Sequence, residues 1–91
     1  MSEVKKEFEQ KVYAIRDVVA DKFFAPFIAL NDDLAKRQFA FNFVDKSSIF
    51  AFSPQDFELY RIGFYDIDNG MLYSSNITKI DRGDEYAEVR V

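Results

Sequence analysis

The sequence predicts an α+β domain: a small antiparallel β-sheet packed by one main helix. Three observations predict it. Apolar residues alternate over short runs, as in Val12-Tyr13-Ala14-Ile15 and Leu59–Tyr65. An Asn69-Gly70 pair stands between two such runs, where a tight hairpin needs positive φ. One capped stretch, opening at Asn31, repeats its apolar residues at helical spacing.

The elements follow in order. Residues 1–10 form a charged lead-in, with Val4 and Phe8 as the only side chains to bury. Residues 11–75 make a single domain. Lys11–Asp17 is a strand, with Tyr13 and Ile15 on one face and Val12 and Ala14 on the other. Residues 18–24 read equally as a wide turn or a helical turn. Pro26 excludes a central ladder position, so Phe27–Leu30 is a short strand near an edge. The main helix covers about residues 31–46. Asn31 is its N-cap, Asp32 and Asp33 complement its dipole, and Asp32/Lys36 and Asp33/Arg37 are i,i+4 pairs in the favourable orientation. Ala35, Phe39 and Phe43 share one face. Phe41 and Val44 point elsewhere, which makes Phe39, Phe41, Phe43 and Val44 candidates for a subunit contact. Ile49–Phe52 reads as extended. Ser53-Pro54-Gln55-Asp56 opens a short helical turn at 53–57. Glu58–Asp66 and Met71–Tyr73 form the hairpin, with Tyr60, Ile62 and Phe64 on one face and Leu59, Arg61, Gly63 and Tyr65 on the other. Residues 76–91 are a polar tail with a last strand at 85–91.

Composition narrows the chemistry. The 91 residues include no Cys, His or Trp. Disulfide scaffolds, thiolate or imidazole zinc sites and imidazole-based triads are therefore excluded, and no enzyme activity, metal or cofactor is expected. Asp66-x-Asp68 lacks the spacing of a calcium loop and reads as a turn. Eleven Phe and five Tyr exceed what so small a core should hold, so some are expected at an interface or binding face. The net charge of -4 argues against a strongly basic nucleic-acid domain, though a local patch can be basic on an acidic protein. With no long apolar run and a charged N-terminus, neither a bilayer span nor a signal peptide is expected, and the setting is a cytoplasm.

Several blocks stand in a fixed order: Val12-Tyr13-Ala14-Ile15-Arg16-Asp17, Ala25-Pro26-Phe27, Asn31-Asp32-Asp33-Leu34-Ala35-Lys36-Arg37-Gln38-Phe39, Ser53-Pro54-Gln55-Asp56-Phe57-Glu58-Leu59-Tyr60-Arg61-Ile62-Gly63, and Phe64-Tyr65-Asp66 with Gly70. Over roughly residues 11–73 this series resembles the small non-structural protein of gokushoviruses, microviruses with circular single-stranded DNA genomes. The chain departs from that pattern at Phe64-Tyr65-Asp66 and in a tail that is not proline-rich. The resemblance implies an accessory DNA-binding protein of genome replication or packaging in the host cytoplasm, with no catalytic residues.

The candidate nucleic-acid residues are Arg16, Lys36, Arg37, Arg61, Tyr65 and Tyr73. Arginine and lysine neutralise phosphates, and tyrosine rings stack on bases. Each has a plainer reading. Lys36 and Arg37 would complete the i,i+4 pairs, and the strand arginines and tyrosines would be packing residues with snorkelling stems. The expected partners are single-stranded DNA and a second copy of the chain. The rival reading is an acidic module that regulates a phage replication or capsid protein through its Phe-rich helix.

Overall fold

The computed structural model describes residues 9–90. Among these residues five strands form one antiparallel sheet: β1 (Glu9–Asp17), β2 (Lys22–Phe23), β3 (Phe27–Ala29), β4 (Phe57–Asp66) and β5 (Met71–Arg82). β1 and β4 are the central strands. β2 and β3 share the outer edge of β1, pairing at Arg16–Asp17 and at Lys11–Tyr13. β5 pairs with β4 through a hairpin whose turn is closed by Gly70 N–H donating to the Asp66 carbonyl at 2.8 Å. Gly70 has φ 75°, as the Asn-Gly signal requires.

Helix α1 (Asp32–Phe41), helical turn α2 (Ile49–Phe52), a 3-10 turn (Pro54–Asp56) and a 3-10 segment (Gly83–Arg90) complete the fold. They cover one face of the sheet, called here the helical face. Tyr13, Ile15 and Leu59 from the strands meet Ala35, Phe39, Phe43 and Phe57 in the core. Among the described residues the other face carries no helix, and it is called the open face. Among the described residues, no helix is long and apolar enough to cross a membrane.

α1 begins as expected, with Asn31 Oδ1 accepting from Leu34 N–H at 2.9 Å. It ends at Phe41 rather than near residue 46. Asn42 turns its amide back and donates to the Phe39 carbonyl at 3.1 Å. The next hydrogen bonds tighten to i→i−3, from Phe43 N–H to Ala40 and from Val44 N–H to Phe41. Ile49–Phe52 is helical and not extended, because Ser48 Oγ caps it by accepting from Ala51 N–H at 3.2 Å. Residues 18–24 resolve into a turn and β2. Asp17 Oδ1 holds the turn by accepting from Val19 and Ala20 N–H.

Three further expectations change. β1 already starts at Glu9, while residues 1–8 of the lead-in lie outside the described residues. Residues 76–82 belong to the second half of β5 and not to a tail. The segment from Gly83 is 3-10 rather than a last strand, and Tyr86 from it stacks on Phe43 at 5.2 Å. Its hydroxyl donates to the buried Asp81 carboxylate, which fixes the segment over the core.

The proposed interface quartet divides. Phe39 is 0% exposed and Phe43 3%, so both are core residues of the protomer. Their rings meet edge-to-face at 5.1 Å, and Tyr86 packs on both. Phe41 and Val44 are each 66% exposed. Within α1 the 100° step turns Phe41 about 200° from Phe39 and so to solvent, and in the turn after the helix Phe43 is held inward by Phe39, Phe50 and Tyr86 while Val44 is left outside.

Candidate nucleic-acid interface

A bulge in β4 decides which side chains share a face. Tyr13 pairs with Arg61 but Val12 pairs with Gly63, so one step along β1 matches two along β4 and Ile62 is the extra residue. The alternation therefore reverses beyond Ile62. Gly63 and Tyr65 join the open face of Tyr60 and Ile62, and Phe64 joins the helical face of Arg61. This overturns the sequence expectation that Tyr65 shares a face with Arg61.

On the helical face two cross-strand rows lie side by side. One is Phe27–Tyr13–Arg61–Thr78 and the next is Lys11–Phe64–Tyr73. Directly opposed residues of a ladder have neighbouring side chains, which aligns Lys11, Phe64 and Tyr73 in one cross-strand row; Tyr73 also borders a groove on the open face. Lys11 and Phe64 are half-buried and Tyr73 is exposed.

The first turn of α1 meets this surface. Asp32 accepts from the Tyr13 hydroxyl at 2.6 Å and from Arg61 Nη1 at 2.8 Å. Asp32 thus turns to the sheet rather than to Lys36, and the expected i,i+4 pairs do not form. Lys36 and Arg37 have no ion-pair partner among the described residues. Lys36 lies one turn beyond Asp32 on the same side of the helix, next to the Arg61 site. Arg61 and Lys11 therefore lie close to Asp32 at the start of α1, whereas Arg37 is exposed and sits about 140° round the helix from Asp32, away from the sheet. The register places Arg61 and Tyr73 in neighbouring rows, with Lys36 on the side of α1 that bears Asp32; Arg37 does not join them.

Arg16 is separated from them by the sheet. On the open face Arg16 Nη2 lies 2.7 Å from Asp21 Oδ1 and its Nη1 3.7 Å from Glu58 Oε1. Lys79 Nζ lies 3.0 Å from Glu58 Oε2, and the Tyr60 hydroxyl donates to Glu58 at 2.8 Å. Two cations there meet two carboxylates, which leaves no net positive charge for a phosphate. Beside this cluster runs an apolar groove, with sections of about 340 and 400 Å³. Its floor is Val12, Ala14 and Ile62, and its walls include Phe23, Pro26, Leu72 and Ile77.

The electrostatics follow from these contacts. Burial pushes the Asp32 carboxyl up, but hydrogen bonds from Tyr13 and Arg61 outweigh it and hold the carboxyl below its usual range. Glu58 is held down in the same way, burial being outweighed by hydrogen bonds from Tyr60 and Lys79. Burial, reinforced by Asp32, raises the Tyr13 phenol well above its usual range, and burial with Asp81 does the same to Tyr86. The depressed acids contribute stability above the unfolded carboxylate pKa, about 3.9–4.3, and lose it as pH falls through their folded values. The raised tyrosines contribute stability below about pH 10 and lose it as pH rises beyond. The thermal midpoint should therefore form a plateau that falls on both the acid and alkaline sides. Tyr13→Phe should flatten the alkaline limb, and an alkaline limb identical to wild type would contradict the role given to this phenol.

Lys11, Phe64 and the Asp32–Arg61 contact were missed from the sequence. The legible signal was Gly63 inside an otherwise regular strand, a mark of a bulge. Without the partner register it does not say which residue is extra.

The fold defines a class: a small antiparallel-sheet protein with one packed helix over one face of the sheet and, on the other, an apolar groove beside a neutral ion-pair cluster. More narrowly, the chain belongs to the phage ORF5 protein family, whose model matches residues 10–86. The match runs from β1 to Tyr86 and so includes both faces. No curated protein and no solved structure matches the chain.

Proposed function

We propose that this phage protein is an accessory protein of the gokushovirus type that binds single-stranded DNA during genome replication or packaging in the host cytoplasm. The role is binding and not catalysis. The observation that carries the reading is the strip Lys11–Phe64–Tyr73 beside Arg61 and Lys36. Lysine and arginine side chains neutralise phosphates, and an exposed ring beside them offers a base its flat side. A flat, sequence-tolerant surface of this kind suits single strands, whose bases are free to stack.

Fluorescence anisotropy with labelled single- and double-stranded oligonucleotides at three salt concentrations tests it. Single strands should bind more tightly, and affinity should fall with salt. Tyr73→Ala should weaken binding by about 1–3 kcal/mol, roughly 5- to 150-fold, with little change in salt slope. Asp32→Asn should strengthen binding, because it removes the carboxylate that occupies Arg61. Absence of salt-dependent binding to single strands would end this reading.

A second reading has its own observation. Phe41, Val44, Ile49 and Phe52 expose apolar side chains along α1 and α2. An exposed apolar set of this kind favours docking of a phage replication or capsid protein there. Phe41→Ser with Val44→Ser should abolish such docking and leave DNA binding intact.

A further inference from the structure

We infer that Asn69, in the turn of the β4–β5 hairpin, is a site of self-modification by deamidation, its side-chain amide being lost to attack by the backbone nitrogen of Gly70. Of the four asparagines, Asn31, Asn42, Asn69 and Asn76, it alone precedes a glycine. Gly70 has no side chain to shield its nitrogen, and a Cβ built there would meet nothing within 4 Å. Both residues are exposed, so hydroxide and water reach them.

The turn also prepares the group under attack. Asn69 Oδ1 accepts from Met71 N–H at 2.9 Å. The ring closed by that bond contains both the Asn69 Cγ and the Gly70 nitrogen, so the side chain is folded forward over the Gly70 peptide. The same N–H faces the oxygen on which negative charge develops as the nitrogen adds to Cγ. Gly70 N–H itself donates to the Asp66 carbonyl at 2.8 Å. That bond must open before the proton leaves, and it lies in an exposed turn, where local opening is easiest. The other asparagines are placed differently. Asn31 Oδ1 caps α1 at Leu34 N–H, the Asn42 amide donates to the Phe39 carbonyl, and Asn76 precedes the β-branched Ile77.

The reaction needs only water. Hydroxide takes the Gly70 amide proton, the nitrogen bonds to Cγ, and the bond from Cγ to the side-chain nitrogen breaks. That nitrogen leaves as ammonia, with its added proton drawn from water. One water then opens the cyclic imide at either carbonyl, leaving aspartate or isoaspartate at position 69. Either product adds a negative charge beside Asp66 and Asp68. Isoaspartate also inserts a methylene into the main chain of a turn whose length sets Asp66 opposite Met71 and Phe64 opposite Tyr73. The modification is a one-way loosening of the hairpin, and it stands independently of the DNA reading.

Incubation of the full chain at neutral and mildly alkaline pH, followed by intact mass measurement and peptide mapping, tests it. The folded protein should gain one dalton at residue 69 before any other asparagine changes, with a rate proportional to hydroxide concentration. The modified fraction, separated by ion exchange, should melt at a lower temperature than the unmodified one. Asn69→Gln should keep its circular dichroism spectrum and lose the early mass gain, because glutamine would have to close a larger and slower-forming ring. A folded chain that stays unchanged at residue 69 while the urea-unfolded chain gains the mass overturns the inference. So does a gain led by Asn31, Asn42 or Asn76, or a modified fraction that melts with the unmodified one. DNA is absent from these samples, so their outcome is separate from that of the anisotropy experiment.

Discussion

Phe39→Ala is expected to destabilise the protein by about 3–5 kcal/mol, the cost of removing a buried aromatic ring and leaving a cavity. Phe39 is 0% exposed and touches Phe43 and Tyr86 through its ring at 5.1 and 5.8 Å. Those contacts tie α1 to the 3-10 segment that follows β5. The cavity cannot collapse easily, because Phe43 is itself held by Phe50 and Tyr86. A small domain has about 5–15 kcal/mol in total, so this loss consumes much of its stability. Urea titration followed by circular dichroism measures it. Phe41→Ala, at an exposed position in the same helix, should change stability by no more than about 0.5 kcal/mol. Equal effects at the two positions would mean that Phe39 faces a partner rather than the protomer's own core.

Gly63→Ala should cost about 1–3 kcal/mol or more, through overpacking. A Cβ built at Gly63 would lie 2.3 Å from the Tyr73 carbonyl oxygen and 3.3 Å from its carbon. Both atoms are backbone of the paired strand, so no side-chain rotation relieves the clash. The hairpin must open where the bulge brings β5 closest. At roughly 4–8 °C per kcal/mol for a domain of this size, the fall in melting temperature is easily read. Because Tyr73 belongs to the candidate strip, the folded fraction should also bind single-stranded DNA less well. A variant with unchanged melting temperature would show that the strands do not approach this closely.

The fold was legible where local chemistry acts alone. Asn31 capped a helix, Asn69-Gly70 turned a hairpin, and Pro26 sent the following strand to an edge. It was not legible where tertiary packing overrode local signals. Phe50 lies with its ring 4.3 Å from Phe57, and this packing together with the Ser48 cap makes Ile49–Phe52 helical despite its strand-like composition. Likewise the continuation of β5 to Arg82 depends on pairing with Glu58–Arg61, which a polar run such as Ser74–Thr78 does not announce.

The candidate site was legible as residue types and not as geometry. Arg61 and Tyr73 do lie in neighbouring rows, with Lys36 on the side of α1 that bears Asp32, but Arg16 and Tyr65 lie across the sheet from them. A single extra residue at Ile62 accounts for the position of Tyr65. Arg16 is occupied by Asp21, which its own sequence neighbourhood brings round through the turn after β1. Asp32 chose Tyr13 and Arg61 over Lys36, because a half-buried carboxylate gains more from two fixed donors than from one mobile lysine.

The central claim is that DNA is held on the helical face, and paired substitutions across the sheet test it most directly. The salt dependence of single-stranded DNA affinity should be measured for the wild type, Lys36→Gln and Arg16→Gln. The account predicts that Lys36→Gln reduces the magnitude of the log–log slope by about 0.7, one phosphate contact, while Arg16→Gln leaves it unchanged. A slope that responds to Arg16→Gln and not to Lys36→Gln would contradict it.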